Sequence, residues 1–136
     1  MTLKSLTVSL ALLGLLTGCG PAPQPDARIA LAHRAHHYVD STQTVAVGII
    51  TKLGMDAEHI EAEKSEVGAL LQQSTTTLAQ LDQLDPAKNQ EPAQAAQLTQ
   101  LLAQEGKLVR ATKAAQNRHV QEAQDLNSTK ALMGAK

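Results

Sequence analysis

The chain has 136 residues, 43% of them apolar, with 12 basic against 13 acidic side chains and a formal net charge of −1. That balance argues against nucleic-acid binding, which calls for a clustered basic face. One Tyr and no Phe or Trp argue against a sugar-binding platform or a base-stacking surface.

The first segment reads as an export signal. Lys4 gives a weak positive n-region, Leu6 to Leu16 is an apolar h-region, and Thr17-Gly18 puts small residues before Cys19. A membrane-crossing helix needs about 20 apolar residues, roughly twice this run. The sequence Leu16-Thr17-Gly18-Cys19, ending on the chain's one cysteine, resembles the lipobox of bacterial lipoproteins. The resemblance implies a diacylglyceryl group on the Cys19 thiol, cleavage before Cys19 and acylation of the new α-amine. Two or more acyl chains give stable anchoring, at about 0.8 kcal/mol per buried CH₂. Gly20, where an Asp would favour inner-membrane retention in enteric-type lipoproteins, points by analogy to the outer membrane; the inner membrane and the cell surface stay open. On this reading residues 1–18 are a signal peptide, and the remainder carries 11 basic and 13 acidic residues.

Residues 19–26 follow as the lipidated cysteine and a tether. Pro21, Pro23 and Pro25 favour an extended, polyproline-like run. Asp26 then reads as an N-cap, opening a helical domain over 27–126.

Within that domain Val39, Ala46, Leu53, Ile60, Val67, Ser74 and Leu81 recur every seven residues, with Ile50, Leu71 and Leu78 among the residues at the +4 positions. This predicts helices packing along a seam. Asp56, Glu63 and Thr77 interrupt the stripe at +3, which favours a loose bundle over a strict two-stranded coiled coil. Gly54 reads as a helix C-terminus and Asp56 as a new N-cap, although the seven-residue phase runs through unbroken. Gly48 and Gly68 lie inside helical pattern and mark either close helix approach or simple tolerance. Pro86 and Pro92 bracket a turn.

A last helix follows, its apolar face formed by Leu98, Leu101, Leu102, Leu108, Val109, Ala115, Val120, Ala123 and Leu126. The expected fold is all-α, an antiparallel helical hairpin or, with a break near Gly54, a three-helix bundle. Its helices span 27–53, 56–84 and 93–126, and 127–136 is a flexible tail.

The sharpest cluster of chemical groups is His33, His36, His37 and Asp40. His33, His37 and Asp40, at i, i+4 and i+7, share a helix face and offer three ligands to zinc, copper or nickel. The seam through Val39 and Ala46 turns this face to solvent, so a polar surface patch is the plainer reading. His59 with Glu63 and His119 with Glu122 read as ordinary surface pairs, and Glu61 with Lys64 as a helical ion pair. No Gly-x-Ser-x-Gly elbow or Gly-rich phosphate loop occurs, so the chain reads as non-enzymatic, with no cofactor beyond covalent lipid.

The expectation is a lipid-anchored, periplasm-facing helical module of the cell envelope in an accessory, exclusion or immunity role. Its partners would be the membrane and either an envelope protein or a second copy of itself. The alternative is a periplasmic metal-binding or metal-sensing protein using His33, His37 and Asp40.

Overall fold

A computed structural model of the chain describes residues 22–134. Those residues form an all-α three-helix bundle: α1 (Ala27–Lys52), α2 (Ala57–Asp82) and α3 (Pro92–Gly134), with a short 3₁₀ turn at Pro86–Lys88. Each helix packs against both of the others. The break at Gly54 therefore exists, and the bundle, not the two-helix hairpin, is the fold.

Local chemistry sets the boundaries. Asp26 caps α1 by accepting from the Arg28 backbone N–H at 2.9 Å, and its carboxylate also holds the Arg28 guanidinium. At the other end the Met55 N–H reaches the Ile50 carbonyl and the Gly54 N–H reaches Thr51. This is the Schellman pattern, and it requires a left-handed residue, supplied by Gly54 at φ 76°. Asp56 then starts α2, accepting from the His59 N–H at 3.0 Å. Between α2 and α3, Asp85 caps the 3₁₀ turn by accepting from Ala87. The Gln94 amide closes that loop, donating to the Asp85 carbonyl at 2.7 Å and accepting from the Asp85 N–H. Pro92 opens α3, where its missing N–H costs nothing. Asn89 in the same loop donates to the Gln24 carbonyl at 3.2 Å, so α1 and α3 start at one end of the bundle.

The heptad stripe is the core. Val39, Ala46, Val67, Ser74 and Leu81 are buried, and Leu53 and Ile60 half-buried. Ile29, Leu78, Leu81, Leu98 and Leu101 form an apolar cluster near the 83–91 loop. Burying one such side chain contributes about 1.5–3 kcal/mol. Toward the Gly54 turn the core narrows to Ala46, Ile50, Ala115 and Ala123.

One expectation changes here, and one open choice closes. The helix predicted to end at 126 runs on to Gly134. Residues 127–133 contain no Pro or Gly, Thr129 back-bonds to the Asp125 carbonyl, and Lys130 Nζ lies 3.4 Å from the Gly54 carbonyl. None of residues 124–134 is buried, so this segment is helix without a core. Of the two readings of Gly48 and Gly68, simple tolerance holds: a Cβ at either would meet nothing within 4 Å. Among the described residues no helix is long and apolar enough to cross a membrane. Cys19 and the leader lie outside the described residues.

Candidate functional site

Two polar levels cross the bundle axis, each taking side chains from all three helices. The lower one is a chain of three groups. His36 Nδ1 on α1 lies 2.7 Å from Ser74 Oγ on α2, and Ser74 Oγ in turn donates to Glu105 on α3. Ser74 and Glu105 are each 1% exposed. The second oxygen of Glu105 is buried with no hydrogen-bond partner among the described residues. The order matters chemically. A nucleophilic serine needs the imidazole between it and the carboxylate, so that the ring takes its proton. Here the serine stands between the other two and its proton goes to the carboxylate.

The upper level centres on Glu63, which is fully buried. Gln43 on α1 donates to Glu63 on α2 at 2.8 Å. Gln116 on α3 donates to Gln43 at 3.0 Å and to the Val39 carbonyl at 2.9 Å, and Thr42 donates back to Gln116. One oxygen of Glu63 has no hydrogen-bond partner among the described residues. Burial pushes the carboxyls of Glu63 and Glu105 above the ordinary Glu range; the Gln43 and Ser74 hydrogen bonds pull the other way.

Beside the upper level, Glu66 on α2 takes both Arg118 and His119 of α3, the latter at 2.7 Å. Arg118 first, then His119, holds the Glu66 carboxyl below its usual range.

The histidine patch divides. His33 Nε2 lies 2.8 Å from Asp82 Oδ1 on α2, and His36 turns inward to Ser74, while His37 and Asp40 are exposed. Among the described residues no three His, Cys, Asp or Glu side chains converge closely enough to hold a metal ion. The two pairs expected at the surface need correction. His59 Nδ1 meets Asp56 at 2.7 Å, not Glu63, which is in the core. His119 is largely buried and faces Glu66, with Glu122 farther off at 3.7 Å. Glu61 and Lys64 do pair, at 3.0 Å.

Glu105, Thr112 and Gln116 are the buried groups that composition-led reading passes over. The signal is present in the spacing: Leu98, Glu105 and Thr112 recur every seven residues, and Leu102, Val109, Gln116 and Ala123 form the row beside them. A charge at a core position reads as an interruption unless register is trusted over residue type.

The surface holds open clefts. One of about 650 Å³ lies between α2 and α3 near the 83–91 loop, lined by six glutamines with Leu84 and Leu101. Others follow the seam between α1 and α3. No family model, curated protein or solved structure matches the chain.

Proposed function

We propose that the chain is a lipid-anchored, non-enzymatic helical module of the bacterial envelope, working by protein–protein contact. The observation that carries this reading is the order of parts: an apolar leader, Leu16-Thr17-Gly18-Cys19, a three-proline run and then helical bundle. Gly20 favours the outer membrane, with the bundle facing the periplasm in an accessory, exclusion or immunity role. The Asn89–Gln24 contact supports the geometry, since it ties the segment after Cys19 to one end of the bundle. The buried Ser74 hydroxyl and the exposed apolar side chains of α1 are in keeping with contact, not chemistry.

Mass spectrometry of the wild-type chain and of Cys19→Ser tests the anchor. Acyl mass on the wild type alone is the expected result, and equal masses, allowing for the substitution, overturn it. Photo-crosslinking from exposed positions on the three helices tests the contact role: discrete protein adducts support it, and none from any helix overturns it.

A further inference from the structure

The helix α1 carries two stripes at helical spacing, one buried in the bundle and one whose large apolar side chains stay exposed beside the α3 seam. Val39 and Ala46 are buried, whereas Leu31, Tyr38 and Val45 are 55%, 59% and 60% exposed and Ile49 36%. With Ala35 and Thr42 between them, these residues alternate at four- and three-residue spacing over 19 residues. That is the repeat of a helix packing against another helix, and it spans about 27 Å.

The neighbouring surface of α3 continues it. A cleft of about 310 Å³ opens between Leu31 and Ala35 on one side and Leu102 and Val109 on the other. A second, of about 190 Å³, opens farther along the same seam between Val45, Ile49 and Val120. The seam is therefore a groove with apolar walls on two helices, the place a fourth helix occupies in a four-helix bundle.

Charge selects the occupant. Arg110 lies along the lower cleft, its guanidinium folded over Gly106. Lys113 follows Val109 by four residues, and Arg34 lies three residues beyond Leu31. None of these three cations has an ion-pair partner among the described residues, whereas Arg28 at the end of the groove is held by Asp26. The acid that touches the lower cleft is Glu105, itself buried and bonded by Ser74. A second copy in parallel would set these cations against their own counterparts, a costly arrangement. An antiparallel copy would put the two Gln24 ends, from which the proposed anchors lead, on opposite sides.

We propose that the α1/α3 groove docks an amphipathic helix of another protein, with apolar residues at alternating three- and four-residue spacing and acidic flanks. This rests on the contact role above and names the partner's chemistry. The probe is a pair of synthetic helical peptides with the same Leu/Ile stripe, flanked by Glu in one and Lys in the other. Fluorescence anisotropy with the Cys19→Ser chain reads binding. The Glu-flanked peptide binds about tenfold more tightly. Tyr38→Glu/Val45→Glu abolishes binding with unchanged circular dichroism, and Arg110→Glu/Lys113→Glu reverses the preference. Equal binding of both peptides, binding indifferent to Tyr38→Glu/Val45→Glu, or a dimer by light scattering that this variant dissociates overturns the proposal. Failure here, with acyl mass on the wild type and crosslinks from other faces, removes the groove and leaves the anchored contact role standing.

Discussion

Gln43 and Glu63 meet across the α1/α2 interface at 2.8 Å, and among the described residues that amide is the carboxylate's one hydrogen-bond donor. Glu105 has the same arrangement with Ser74 one level below. Each buried acid is half satisfied, which is a poor setting for a full negative charge. Burial therefore holds both carboxyls above the ordinary Glu range.

This makes stability depend on pH in a definite direction. Both folded-state carboxyls titrate above the unfolded Glu value of about 4.5. Their contribution is complete below that value and is lost as pH rises through the elevated folded one. Thermal unfolding should show a higher Tm near pH 5 than near pH 7.5. Glu63→Gln/Glu105→Gln should flatten that slope. Glu66 works oppositely, its contribution being lost as pH falls below the ordinary Glu range. A Tm that rises monotonically from pH 5 to about pH 7.5 would contradict the buried acids.

Removing Ser74's hydroxyl should be more costly than its size suggests. Ser74→Ala leaves both oxygens of Glu105 and the His36 Nδ1 without their partner, at about 1–3 kcal/mol. Ser74→Ala/Glu105→Leu should recover most of that loss, because no buried acid then remains at this level. Chemical denaturation of the single and double variants measures the coupling; additive losses would show that the two side chains act independently.

The glycines separate into two kinds. Gly54→Ala forces a side chain into left-handed backbone and should cost about 1–2 kcal/mol. Gly48→Ala and Gly68→Ala add a methyl where nothing lies within 4 Å, and each should gain about 0.5–1 kcal/mol. Opposite shifts in denaturation midpoint are the expected readout.

Truncation after Leu126 should remove helix without removing stability. Residues 127–134 are all exposed, and among the described residues their one hydrogen bond back to the bundle is Lys130 to the Gly54 carbonyl. The change should stay below about 0.5 kcal/mol, while far-ultraviolet circular dichroism loses the signal of the missing turns. A large drop in Tm would mean that the overhang supports the bundle.

Much of the fold is legible because the seven-residue phase from Val39 to Leu81 runs unbroken through a chain reversal. Gly54 and Asp56 reverse the chain without shifting which face is apolar, so periodicity and capping both read correctly although they point to different topologies. The polar levels were harder to read for a physical reason. Glu63, Thr77 and Glu105 occupy apolar register, and residue type outweighs register when a charge is weighed alone. The end of α3 is illegible because nothing stops it: the polar residues 127–130 suggest fraying, yet the backbone has no breaker before Gly134. The open face of α1 was hidden by adjacency, since Tyr38 and Val45 sit one residue from the buried Val39 and Ala46 and merge with them in any apolar count.

An odd number of antiparallel helices delivers the chain to the end opposite its entry. Gln24 is tied to the loop where α3 begins, and α3 then rises about 64 Å, some 25 Å more than α1. Whatever surface holds the start of the bundle, the last turns of α3 stand off from it like the tip of a mast. A contact made there reports distance as much as chemistry, and lengthening or shortening α3 by whole turns would reset its reach while leaving every buried layer in place.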